Sequence, residues 1–117
     1  MITKQKCNTV RYERSAVVIK LVGDVCYDTV SPLYSSVNEI LKQNKTGLVF
    51  DLSGVEFIDS KGAAFLLDVK KCVYGKRPVV LASVPAYILA VLSRMTIADR
   101  FRIFRSVDDA LSDMPQC

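Results

Sequence analysis

Residues 48–67 read LVFDLSGVEFIDSKGAAFLL, and the succession of residue types along them sets the architecture. Leu48-Val49-Phe50-Asp51-Leu52 is a short, nearly continuous apolar run, the pattern of a strand covered on both faces. Ser53 to Gly62 reads as a turn-rich stretch. From Gly62 to Tyr74 the spacing predicts a helix with Ala63, Leu66, Leu67, Val69 and Val73 facing inward and Gly75 as its C-terminal stop. A covered strand that leads through a loop into a helix is the opening of a parallel crossover.

The flanks repeat that grammar. Upstream, Cys7 to Tyr12 alternates, Glu13-Arg14-Ser15 is a polar break, and Ala16 to Val22 is a β-branched run closed by Gly23-Asp24; two strands so close predict an antiparallel hairpin. Asp28, Thr29 and Ser31 are candidate N-caps for a helix over Pro32–Lys42, whose Leu33, Val37, Ile40 and Leu41 form one apolar stripe. Downstream come a buried strand at Pro78–Ala82 and a third helix opened by Ser83 or Pro85, carrying Ile88, Leu89, Val91 and Leu92. A weak edge strand at Arg102–Arg105 precedes a last helix starting with Ser106-Val107-Asp108-Asp109. The order β-β-α-β-α-β-α-β-α implies one small α/β domain over 1–117, with a mostly parallel sheet, an N-terminal antiparallel hairpin and about four helices.

Composition excludes much chemistry. The chain of 117 residues contains no histidine, so no Ser-His or Cys-His pair and no His metal site can be built from it. Its 50% hydrophobic content and net charge of +4 argue against disorder and against a nucleic-acid-binding arm. Cys7, Cys26, Cys72 and Cys117 are far apart and form no C-x-x-C, so reduced thiols and no metal or cofactor are expected. The first apolar run, Ala16–Val22, is interrupted by Lys20 and is too short for a signal peptide, and nothing approaches a membrane span. A cytoplasmic protein without membrane or direct nucleic-acid contacts is the expectation.

Ser60 is the residue to which the chemistry narrows. It lies where the loop meets the helix, and two readings are open there. A serine at that position caps helices commonly. The same position can also carry a phosphate, facing free backbone N–H groups and the positive end of the helix dipole. Phosphorylation would add close to two negative charges, and Gly62, Ala63 and Ala64 keep the surrounding surface low for a partner.

Enzymatic readings find little support. Ser60 has no histidine base, and Lys61 is adjacent to it, a poor geometry for Ser-Lys chemistry. Neither G-x-S-x-G nor a G-x-x-x-x-G-K-[ST] phosphate loop occurs. A phosphoaspartate receiver is excluded as well, since no acidic pair follows the first strand and residues 77–117 contain no lysine.

The stretch Asp51-Leu52-Ser53-Gly54-Val55-Glu56-Phe57-Ile58-Asp59-Ser60-Lys61-Gly62 resembles the central motif of STAS domains, specifically bacterial anti-sigma factor antagonists. Leu21-Val22-Gly23-Asp24-Val25 and the region from Val79 to Phe104 resemble flanking family segments. This resemblance implies a non-enzymatic partner switch. The unphosphorylated antagonist would bind an anti-sigma factor, often itself a serine kinase of the histidine-kinase-like ATPase type, and so free the sigma factor. Phosphorylation of the serine matching Ser60 would break the complex, and a serine phosphatase would restore it. The resemblance also implies that Asp59 orients the acceptor hydroxyl, and that Asp59, Ser60, Lys61, Gly62, Asp24 and Asp28 contribute to the partner-binding surface.

Two positions depart from the family pattern: Cys26 stands where an Asp is common, and Lys61-Gly62-Ala63-Ala64 replaces the frequent Ser-Gly-Leu-Gly. Two other functions are compatible with the residues. A STAS-like scaffold or accessory subunit of a transport or signalling complex would use Ser60 only as a cap; a nucleotide-binding module would have to work without a Gly-rich phosphate loop.

Overall fold

A computed structural model describes residues 5–13, 16–43, 46–73 and 77–114. The hairpin forms as expected: β1 (Gln5–Tyr12) pairs antiparallel with β2 (Ala16–Val25). Helix α1 (Val30–Gln43) then leads to β3 (Gly47–Ile58), which lies parallel to β2. Helix α2 (Ser60–Val73) leads to β4 (Val79–Ala82), parallel to β3. Helix α3 (Ala86–Arg94) and a 3-10 turn at Ala98–Arg100 precede β5 (Ile103–Phe104), parallel to β4, and α4 (Val107–Asp113) follows. The five strands stand in the sheet in sequence order, β1-β2-β3-β4-β5.

The covered strands send alternate residues to opposite faces, the period-2 consequence of a pleated backbone. On one face Val17, Ile19 and Leu21 of β2, Leu48, Phe50 and Leu52 of β3, and Val79 and Leu81 of β4 pack with α1, α2 and α3. Phe65 of α2 is fully buried there, edge-on to both Phe50 and Tyr34 at centroid distances of 5.9 and 5.0 Å. On the other face Ala16, Val18, Val49, Val80 and Ala82 meet Ala110 of α4 and Met114 at its C-terminal end. Ser106 caps α4 as its sequence suggests, accepting the Asp109 N–H at 3.1 Å.

Several boundaries differ from the sequence expectation, and the largest difference is in β3. The strand does not stop at Leu52 but runs through the supposed turn-rich stretch to Ile58. Two irregularities in its pairing with β2 account for this. Between Lys20↔Asp51 and Val22↔Gly54, two steps of β2 face three of β3; between Gly23↔Val55 and Asp24↔Phe57, one step faces two. Each irregularity puts an extra residue into β3, so burial follows Leu52, Val55 and Ile58 at intervals of three instead of two.

β2 likewise runs past Gly23-Asp24 to Val25, with Gly23 at φ 92°, a backbone angle that glycine adopts without cost. α1 begins at Val30, ahead of Pro32. α2 begins at Ser60, two residues before Gly62. The expected stop at Gly75, with Tyr74, lies outside the described residues.

Candidate functional site

β2 and β3 both end at the same edge of the sheet, where Val25 pairs with Ile58. The chain leaves β3 through one residue, Asp59, and enters α2. Asp59 Oδ1 accepts the Gly62 N–H at 2.9 Å, and its carbonyl oxygen accepts the Ala63 N–H at 2.9 Å. These two bonds make Asp59 the N-cap. Its other carboxylate oxygen, Oδ2, accepts the Tyr27 N–H at 3.1 Å and so ties the β2–α1 loop to the start of α2. Both carboxylate oxygens therefore serve backbone N–H groups.

Ser60 follows as the first helical residue and is exposed. It does not cap the helix, because Asp59 does, and no described hydrogen bond engages its hydroxyl. The sequence left the cap assignment open between function and structure; the geometry gives the cap to its neighbour. In the first turn the Gly62 and Ala63 N–H groups are met by Asp59, whereas those of Ser60 and Lys61 have no described acceptor.

Gly62 sets how closely this turn lies on the sheet. A Cβ built there would come within 2.0 Å of the Val25 carbonyl oxygen. The loop between β2 and α1 is held by Thr29, which is buried at 4% exposure. Its hydroxyl accepts the Cys26 N–H at 2.9 Å and donates to the Asp24 carbonyl at 2.9 Å. Cys26 is itself buried, with Sγ 3.8 Å from the Thr29 hydroxyl, so its thiol belongs to the loop's interior and not to a partner-facing surface.

The other residues singled out from the sequence fall around this point. Asp24 is half-buried opposite Phe57 in the β2–β3 register, and Asp28 is exposed in the loop that Asp59 anchors. Lys61 is exposed and makes no described ion pair. Sequence reading missed three aromatic side chains at the same edge. Tyr27 is 69% exposed beside Asp59, Phe57 is 51% exposed at the end of β3, and Tyr87 is 56% exposed on the first turn of α3. Tyr87 Oη donates to the Val55 carbonyl at 2.9 Å, which fixes its ring against β3. The signal for Phe57 is its position outside the Leu52, Val55, Ile58 series, visible only once the strand is known to be irregular.

The family profile of the STAS domain matches residues 7–110. The chain belongs to the STAS domain family. Over 104 residues this STAS domain is 26% identical to the anti-sigma-F factor antagonist RsfB of Mycobacterium tuberculosis, covering 89% of this chain and 85% of that protein. Among solved structures it superposes on an anti-sigma-factor antagonist (STAS) domain protein from Planctomyces limnophilus with TM-score 0.80 and 22% identity, over 89% of this chain and 94% of the other. It also superposes on the murine solute carrier 26 family member A9 anion transporter, solved in its inward-facing state, with TM-score 0.73 and 15% identity. That match takes in 87% of this chain but only 18% of the transporter. These structural likenesses establish a shared fold.

Among the described residues of the STAS domain, no helix is long and apolar enough to cross a membrane, and no group of three Cys, Asp or Glu side chains is placed to hold a metal ion.

Proposed function

We propose that this STAS domain is an anti-sigma factor antagonist that switches partners through Ser60. Unphosphorylated, it binds its anti-sigma factor, a serine kinase of the histidine-kinase-like ATPase type, and so releases the sigma factor. The kinase transfers the γ-phosphoryl group of ATP to Ser60 Oγ; the hydroxyl gives up its proton, ADP leaves, and the complex falls apart. A serine phosphatase hydrolyses the phosphoester and resets the switch. The domain itself is a binding protein, not an enzyme, and works in the cytoplasm without membrane or nucleic-acid contacts.

The observation that carries this reading is the division of labour between Asp59 and Ser60. Because Asp59 takes the cap, the Ser60 hydroxyl stays exposed at the start of α2. The relation to RsfB supports the choice of partner. A dianion brought into an interface shaped for a hydroxyl is desolvated without a matched counter-charge, which costs several kcal/mol, on the order of a thousandfold in affinity. No rearrangement of the fold is needed.

The test compares wild type, Ser60→Ala and Ser60→Asp as bait in lysate of the native cells, followed by affinity measurement with the captured kinase. A serine kinase held by the first two and lost by Ser60→Asp is the expected result. Equal retention of the same partners by all three would overturn the switch and leave a scaffold role.

A further inference from the structure

The opposite end of α2 carries a second feature that the partner switch does not use. Lys70 and Lys71 stand in the last turn, ten residues and more from Ser60, a helical rise of about 15 Å. There, two adjoining cavities of about 430 and 360 Å3 share Lys70 and Arg100 in their walls. Both volumes are within the range of small-molecule sites.

The walls combine charge with apolar surface. Lys70, Lys71 and Arg100 make no described ion pair, and Lys70 Nζ sits 5.7 Å from the centroid of the Phe101 ring. Arg77 and Arg102 also line the second cavity but are engaged elsewhere: Arg77 donates to the Leu41 carbonyl at 3.4 Å, and Arg102 pairs with Asp113. Asp99 is the single carboxylate among the described lining residues. Two lysines in the last turn of a helix complement its dipole and need no ligand. Arg100 comes from a different segment, the 3-10 turn, and adds its charge to the same concavity; Asp99 beside it makes no described ion pair with it, so three cations there face one carboxylate. Half-buried Leu67 supplies the apolar side, while Phe101 is buried in the core beneath Lys70.

We propose that this concavity is a binding site for a small organic phosphate, its phosphate held by Lys70, Lys71 and Arg100 and its apolar body against Leu67. Concave, ligand-sized walls favour a small molecule over an acidic protein surface, which would meet a convex patch. The site is independent of Ser60 and of the partner switch.

The experiment is an amide-resolved NMR titration of the full chain with phenyl phosphate, and separately with inorganic phosphate and phenol. The expected result is saturable shifts at residues 67–71 and 99–102 with none at 59–62, and tighter binding of phenyl phosphate than of either fragment. Lys71→Gln with Arg100→Gln, both exposed positions, should weaken phenyl phosphate roughly tenfold or more, as the loss of charge-assisted hydrogen bonds requires. Absence of saturable shifts, shifts unaffected by the double substitution, or equal binding of phenyl phosphate and inorganic phosphate would each overturn the assignment. Lys71→Arg with Arg100→Lys keeps the charge and should retain binding.

Discussion

A Cβ on Gly62 would lie 2.0 Å from the carbonyl oxygen of Val25, so the first turn of α2 rests directly on the end of β2. Two effects of Gly62→Ala oppose one another. Alanine gains about 1 kcal/mol over glycine from helix propensity. The clash is with backbone and cannot be relieved by rotating a side chain, and overpacking of that kind costs about 3 kcal/mol. The clash wins. Chemical denaturation should therefore show a net loss of about 2 kcal/mol, with Ser60 displaced from the strand ends. An unchanged or raised midpoint would mean that α2 does not sit this close.

Asp59 joins two segments with one carboxylate, and its two substitutions separate the bonds. Asp59→Ala removes both the cap on Gly62 and the tie to Tyr27. A lost cap costs about 1 kcal/mol and the second bond, at an exposed site, about as much again. Asp59→Asn keeps one carbonyl oxygen for the cap but turns an N–H₂ toward the Tyr27 N–H, so it should cost about half as much. Urea midpoints in the order wild type, Asn, Ala check this; Asn as damaging as Ala would mean the two bonds are not separable.

Thr29 is the buried polar group of the neighbouring loop, and its hydroxyl both accepts from Cys26 and donates to Asp24. Thr29→Val is close in shape yet strands the Cys26 N–H and the Asp24 carbonyl. The expected loss is about 2 kcal/mol, the cost of unpaired buried polar groups. Faster amide exchange at Cys26 and Tyr27 should accompany it, because the loop that carries Asp28 would loosen.

These effects bear on how far the sequence could be read. The covered cores of β2, β3 and β4 were legible, because β-branched and aliphatic runs leave few alternatives, and so were the amphipathic helices. Residues 53–58 were not. Ser53 and Gly54 carry turn chemistry, and the extra residues in β3 turn a two-residue alternation into buried Leu52, Val55 and Ile58 three apart. That spacing belongs to no regular strand. The identity of the cap was equally hidden, since Asp59 and Ser60 are both good N-caps and adjacent. The bonds that Asp59 accepts from Gly62 and Ala63 separate them. The exposure of Phe57 depended on the same irregular strand.

Ser60→Asp places a negative charge at the first position of α2, where the helix dipole favours anions by about 0.3–1 kcal/mol and repulsion from the adjacent Asp59 carboxylate offsets a similar amount. The two effects nearly cancel at this exposed position, so the variant should melt close to wild type. Loss of the kinase by this variant would then report on the interface and not on unfolding. A markedly destabilised Ser60→Asp would remove that inference and point to a tightly packed hydroxyl, contrary to its exposure.

Four large hydrophobic side chains stand exposed among the described residues: Tyr12, Tyr27, Phe57 and Tyr87. Three of them surround the Asp59–Ser60 edge, whereas Tyr12 pairs with Val17 at the other end of β2. Aromatic residues dominate the binding energy of protein interfaces, and truncating an anchor commonly costs about 2 kcal/mol or more. Phe57→Ala should therefore weaken capture of the anti-sigma factor about thirtyfold, while its denaturation midpoint moves by no more than about 0.5 kcal/mol, as for other exposed positions. Tyr12→Ala is the control, an aromatic side chain of comparable exposure (60% against 51%) at the wrong end of the sheet, and its binding should match wild type. Calorimetric titration of both variants decides the matter: if Tyr12→Ala loses as much affinity as Phe57→Ala, or if Phe57→Ala loses none, the partner does not dock over this edge.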